Sequence, residues 1–104
     1  MSGEFILIID DSREIVKHLT ESVLPTFGYH TMHAYDGLSG LELIREKGPD
    51  LVMLDFNLPQ MTGLDVLQQM AQESLKTPVV LMTGYGSELS AIEAFRLGAK
   101  DYII

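Results

Sequence analysis

Acidic and hydroxyl side chains stand directly after three apolar runs of the 104-residue sequence, where they could take part in chemistry. If these runs are parallel strands, their carboxyl ends meet at one edge of a sheet, which is where ligands bind. Carboxylates gathered there repel one another unless a cation neutralises them, and oxygen ligands without His or Cys predict a hard cation, Mg²⁺ above all. The residues are Asp10 and Asp11 after FILII, Asp55 after LVML and Thr83 after VVLM.

Each of these residues also has a purely structural explanation. Asp10 and Asp11 could form the turn and cap of the helix that follows, and Asp55 could open the turn at residues 57–59. Thr83 is a common end to a strand before glycine. Because all of them fall at the same predicted edge, a metal site explains the pattern better than separate turns do.

The elements that must position these residues alternate between apolar runs and amphipathic stretches. Runs without polar alternation are typical of strands buried on both faces of a parallel sheet. The strand–helix alternation indicates right-handed βαβ crossovers, and about 100 residues is too short for an eight-fold barrel, so we expect a small doubly wound α/β sheet. Strands are predicted at 5–9, 29–34, 51–54, 79–82 and 102–104, and helices at 12–24, 38–47, 64–74 and 88–97.

Composition excludes several classes of function. The chain has no cysteine, which rules out disulfides, thiolate metal sites and cysteine nucleophiles and suits the reducing cytoplasm. Fifteen acidic against seven basic residues give a net charge of -8, which argues against direct binding to nucleic acid. No apolar run approaches the ~18 residues of a membrane-spanning helix, so we expect no membrane insertion.

Four segments together resemble the receiver domain of bacterial two-component response regulators, the CheY-like family: ILIIDDS, PDLVMLDFNLPQMTGLDVL, TPVVLMTGYGS and AFRLGAKDYI. The resemblance implies a flavodoxin-like fold with five parallel strands in the order 2-1-3-4-5, and a single receiver domain over residues 1–104. It implies a phosphoacceptor rather than a turnover enzyme. The implied partners are a histidine kinase or phosphotransfer protein and an output domain or target protein.

The resemblance also implies a role for each site residue. Asp55 would accept the phosphoryl group from a phosphohistidine. Asp10, Asp11 and Asp55, with the backbone carbonyl of Asn57, would hold Mg²⁺.

Two further residues would transmit the phosphorylation. Thr83 would form a hydrogen bond with the phosphoryl oxygen and shift toward it, and Tyr102 would follow as the switch aromatic. The face formed by residues 84–104 would then be the output surface.

The sequence departs from the family pattern after Tyr102. The expected lysine would fall three positions later, one position beyond residue 104, and Lys100 does not replace it because it precedes the aromatic. The fifth helix of the family is absent as well, so we expect impaired transfer and a homodimer that covers the exposed sheet face. A self-associating module unable to switch is therefore the alternative function. A Mg²⁺-dependent phosphatase is disfavoured because Asn57 stands where that chemistry uses a second Asp.

Overall fold

Five parallel strands form the centre of the chain, as the sequence predicts. The structure is a computed structural model that describes residues 4–82 and 96–103, with side chains described as far as residue 100. Neighbouring strands lie in the order β2-β1-β3-β4-β5, which matches the expected flavodoxin-like order. The strands are β1 (Phe5–Ile9), β2 (His30–Ala34), β3 (Leu51–Asp55), β4 (Val79–Met82) and β5 (Asp101–Ile103).

Three α-helices are described, and their starts are fixed by side-chain caps. Ser12 caps α1 (Arg13–His18) by accepting a hydrogen bond from the N–H of Ile15, and Asp36 caps α2 (Gly37–Lys47) through the N–H of Ser39. Thr62 begins α3 (Gly63–Gln72) with a complete capping box.

The fourth predicted helix, over 88–97, lies outside the described residues except for its last two positions. The sequence ends one residue after β5.

The first helix differs from the prediction of one α-helix over residues 12–24. After α1 the chain widens into a π-helical turn over Leu19–Val23 and ends in a 3₁₀ turn at Pro25–Phe27. The N–H of Leu24 donates to the carbonyl of Leu19 at 2.9 Å, five residues back. This wider turn places Leu24 in the same apolar cluster as Val16, and Pro25 has no N–H to continue the helix.

Apolar side chains fill both faces of the sheet, but unequally. The face toward α2 and α3 carries a continuous buried cluster that includes Leu7, Ile9, Leu54 and Leu67. On the face toward α1, Ile6 and Ile8 are buried. The residues that β3 and β4 turn toward this second face are only partly buried: Leu51, Met53, Val80 and Met82.

Helix α2 lies unusually close to β1. A Cβ added at Gly40 would lie 2.8 Å from Cγ1 of Ile9 and closer still to its Cδ1. Ile9 is fully buried and has little room to move, so glycine at position 40 favours this approach. Within the described residues, no helix has the length and apolar character needed to cross a bilayer.

Candidate functional site

Asp10 makes the turn that leads from β1 into α1. Its backbone N–H donates to the carbonyl of Ala34 at 3.1 Å, and its Oδ1 accepts a hydrogen bond from the N–H of Ser12 at 2.8 Å. The residue is only 3% exposed and is the one buried charged residue in the described part of the chain. Since Ser12 caps α1, Asp11 is not needed as a cap and remains exposed at the end of the strand.

Asp55 is the last residue of β3, one position later than the predicted strand end. Its Oδ1 accepts a hydrogen bond from the N–H of Asn57 at 3.1 Å, which orients the carboxylate. The N–H of Phe56 donates to the carbonyl of Met82 at 2.8 Å, so the ends of β3 and β4 are held side by side. The residue after Met82 is Thr83, so the backbone brings the two strand ends together at this edge.

Gly63 holds the start of α3 against this turn. Its N–H donates to the carbonyl of Phe56 at 3.0 Å, and a Cβ at this position would lie 2.8 Å from the carbonyl oxygen of Asp55. Only glycine therefore fits here without moving the backbone of the site. The spacing of Asp55, Pro59 and Gly63 was visible in the sequence, but the packing function of the glycine was missed.

Three carboxylates meet at the carboxyl edge of the sheet. One oxygen from each of Asp10, Asp11 and Asp55 lies within 4.8 Å of the others. The cation nearest in sequence, Arg13, stacks its guanidinium 4.1 Å from the centroid of the Tyr35 ring. This contact, which the sequence pattern does not reveal, places the flat face of the guanidinium against an aromatic ring.

Burial and neighbouring negative charge make Asp55 and Asp10 harder to ionise. Burial raises the pKa of Asp55 to about 6, the hydrogen bond from Asn57 opposes the rise, and the charges of Asp10 and Asp11 add to it. The pKa of Asp10 is also raised, first by burial and then by the charge of Asp11, against the hydrogen bond from Ser12. Such an arrangement is stabilised by a bound cation.

The donor set fits Mg²⁺. It consists of carboxylate oxygens that are close enough to share one ion, and hard divalent cations prefer oxygen ligands. Asn57 is exposed and lies two residues beyond Asp55 at the same edge. The two strand histidines lie elsewhere: His33 packs against Tyr35 and His30 against Phe5, with ring centroids 5.0 and 5.4 Å apart.

The two predicted switch residues are only partly covered by the described structure. Thr83 lies outside the described residues, as do most of residues 84–104, the predicted output face. The backbone of Tyr102 lies in β5 and pairs with Leu81 of β4, while its side chain is outside the description.

Comparison with known proteins gives a consistent result. The sequence profile described as "Response regulator receiver domain" matches residues 6–104. The regulatory protein AtoC of Escherichia coli K12 is 37% identical over 99 residues, which are 95% of this chain and 21% of AtoC. The transcriptional regulatory protein CpxR of the same strain is 38% identical over 98 residues, which are 94% of this chain and 41% of CpxR.

A solved structure of a receiver domain has a similar fold. The CheY-like response regulator receiver domain protein from Methanospirillum hungatei JF-1 superposes with a TM-score of 0.89 at 29% identity, covering 98% of this chain and 81% of that one. The chain thus spans about a fifth to two fifths of the curated relatives named above.

Proposed function

Since the chain belongs to the receiver domain family of two-component response regulators, we propose that Asp55 accepts a phosphoryl group from a histidine kinase or phosphotransfer protein. The observation that carries the proposal is the meeting of Asp10, Asp11 and Asp55 within 4.8 Å at the carboxyl edge of the sheet. Residues 1–104 act here as one receiver unit, a stoichiometric acceptor rather than a turnover enzyme. We place it in the cytoplasm with its kinase.

The transfer step uses the carboxylate of Asp55 as the nucleophile. One of its oxygens forms a bond to phosphorus, and the bond from phosphorus to the histidine nitrogen of the partner breaks. The imidazole nitrogen keeps the electron pair and takes up a proton. With a pKa of about 6, Asp55 is mostly ionised at neutral pH, and the N–H of Asn57 holds one carboxylate oxygen in place for the reaction.

Asp10, Asp11 and Asp55, with the backbone carbonyl of Asn57, are the residues that would hold Mg²⁺. The bound ion would neutralise negative charge on the transferring phosphoryl group. Asp10 is suited to a fixed ligand position because its carboxylate is buried and tied to the N–H of Ser12. Asp11 is exposed and can adjust to the ion.

Residues at the ends of the neighbouring strands would respond to phosphorylation. We propose that Thr83 donates a hydrogen bond to a phosphoryl oxygen and that Tyr102 follows it, which changes the face formed by residues 84–104. The pairing of Asp55 with Met82 supports this, because it brings the end of β4 alongside the acceptor. An output domain or target protein would recognise the changed face.

A mass measurement tests the acceptor. The protein is incubated with Mg²⁺ and acetyl phosphate, and the intact mass should rise by one phosphoryl group. Asp55→Asn should remove the gain, whereas Asp50→Asn, the same substitution just before the opposite end of β3, should keep it. Beryllofluoride, which mimics the phosphoryl group, should bind in the presence of Mg²⁺ to the same variants that are phosphorylated. A mass gain that persists in Asp55→Asn, or none in the unmodified chain, contradicts the proposal.

Self-association through the α1 side of the sheet is the second candidate. The observation that favours it is the partial exposure of four apolar residues on β3 and β4: Leu51, Met53, Val80 and Met82. A homodimer would cover this face. Light scattering at tens of micromolar protein should then report twice the monomer mass, and a monomer at that concentration contradicts it.

A further inference from the structure

A cavity lies at the opposite edge of the sheet from the three aspartates. It has a volume of about 310 Å³ and lies between the end of α3, the start of β4 and the segment that leads into β5. Ligand pockets commonly begin at about this size and combine an apolar interior with a few polar groups. Its lining residues are Leu67, Met70, Ala71, Ser74, Leu75, Lys76, Thr77, Val79, Leu97, Gly98 and Lys100.

The cavity has an apolar floor and a cationic rim. Of the lining residues, Leu67, Met70 and Val79 are at most 3% exposed, while Lys76 and Lys100 are exposed. Among the described residues that line it none is acidic, although the chain as a whole has a charge of -8. Two of the seven Lys and Arg residues of the chain therefore line one small cavity.

The acidic residue next to Ser74 does not cancel this charge. Glu73 precedes the lining residue Ser74, but both of its carboxylate oxygens are bound by Arg45 of α2 at 2.6 Å. Gln69 donates a further hydrogen bond to the same carboxylate at 2.7 Å. Glu73 is thus paired toward α2 and does not neutralise the two lysines that line the cavity.

Backbone hydrogen bonds hold the walls of the cavity in place. The N–H of Leu75 donates to the carbonyl of Met70 at 2.9 Å, which fixes the loop after α3. The N–H of Lys100 donates to the carbonyl of Val79 at 2.8 Å, which fixes the base of the second lysine against β4. A preformed pocket binds with a smaller loss of conformational entropy.

We propose that this cavity binds a small amphiphilic carboxylate, a molecule with one carboxylate group on an apolar hydrocarbon body. The hydrocarbon would lie against Leu67, Met70 and Val79, and the carboxylate would sit between Lys76 and Lys100. The site is separate from Asp55, so binding does not depend on phosphorylation.

Octanoate serves as the probe. Octanamide is its neutral analogue, and acetate is a carboxylate without the long hydrocarbon chain. In two-dimensional amide NMR spectra, octanoate should give saturable shifts centred on residues 74–77 and 97–100. Octanamide should bind about tenfold more weakly, because two partly exposed ion pairs are lost, and acetate should give no saturable shift.

Three variants distinguish the contribution of the lysine charges to binding from that of the cavity volume. The double substitution Lys76→Gln with Lys100→Gln should weaken octanoate about tenfold and leave octanamide unchanged, and Lys47→Gln, a lysine outside the cavity, should change neither. Ala71→Leu, a helix-compatible substitution on α3, should abolish binding of both molecules by filling the cavity. Unchanged amide shifts in β1 and β3 confirm that each variant is folded.

Several results would overturn the proposal. These are equal affinity for octanoate and octanamide, retained binding in Ala71→Leu, or no saturable shift with octanoate. Shifts of the same amides that depend on protein concentration rather than on octanoate would assign the cavity to a second copy of the chain and would equally overturn it. The comparison of octanoate with octanamide in the unmodified protein decides the proposal even if one variant fails to fold.

Discussion

Replacing Asp55 by Asn should stabilise the metal-free protein, although it removes the proposed acceptor. The folded chain raises the pKa of this carboxyl from 3.8 to about 6. A rise of roughly two pKa units corresponds to about 3 kcal/mol of unfavourable interaction with the ionised form. Because the side chain is partly exposed and solvent screens it, we reduce this to about 1 to 2 kcal/mol. Asn keeps an oxygen that can accept the hydrogen bond from Asn57.

The effect of Asp55→Asn on stability should depend on pH. A carboxyl whose pKa is raised on folding favours the folded state in its protonated form, so the penalty is absent below pH 3.8 and complete above about pH 6. Asp55→Asn should therefore stabilise the protein at pH 7.5 and have little effect at pH 3.5. For a chain of this size, the gain at pH 7.5 corresponds to an increase of roughly 5 to 12 °C in melting temperature.

Urea unfolding in the presence of EDTA measures the gain directly, and Asp50→Asn serves as the matched control. Mg²⁺ at a hundred times its dissociation constant should stabilise the unmodified chain by about 2.7 kcal/mol, whereas Asp55→Asn should gain much less. The electrostatic reasoning is refuted if Asp55→Asn is no more stable than the unmodified chain at pH 7.5 in EDTA. It is also refuted if the gain is equally large at pH 3.5.

Two further predictions concern the close packing of glycines, and a third concerns an ion pair. Gly40→Ala should lower the free energy of unfolding by about 1 to 3 kcal/mol in urea titrations, because its Cβ overlaps a fully buried β1 side chain; an unchanged midpoint would contradict the close packing of α2. Gly63→Ala should slow phosphorylation of Asp55 by acetyl phosphate by at least tenfold while the protein stays folded by circular dichroism, since the new Cβ pushes on the acceptor backbone; an unchanged rate would contradict it. The Arg45–Glu73 pair lowers the pKa of Glu73 to about 2, so its stabilisation should be complete above about pH 4.5 and lost as the pH falls toward 2. A double-mutant cycle of Arg45→Met and Glu73→Gln should show coupling at pH 6 that disappears near pH 2, and pH-independent coupling would argue against an ion pair.

Much of the fold could be predicted because β1, β3 and β4 consist almost entirely of apolar residues. Such strands appear in the sequence as unbroken apolar runs, and their alternation with amphipathic stretches defines a parallel sheet. The π-helical turn after α1 could not be predicted this way. It depends on where Leu24 must lie relative to Val16 in the assembled core, and the spacing of apolar residues within one helix does not contain that information.

The grouping of the three aspartates was predictable from strand order, but their separate environments were not. Two adjacent carboxylates in a sequence look equivalent. In the structure, Asp10 is buried in the turn and Asp11 is exposed, because Ser12 takes the capping position that Asp11 could have filled. The steric fit of Gly63 against Asp55 likewise arises only when α3 is placed against β3.

The structural and chemical explanations of Asp10 prove to be compatible rather than alternative. Its hydrogen bond to Ser12 shows that it does form the turn, as the simpler explanation requires. A turn alone, however, does not require a buried carboxylate whose pKa is raised by desolvation and by the charge of Asp11. Asn or Ser would serve the turn without this electrostatic cost. Burial and the charges of Asp10 and Asp11 raise the pKa of Asp55, a cost that the turn does not require, and the cation proposed for this site would relieve it.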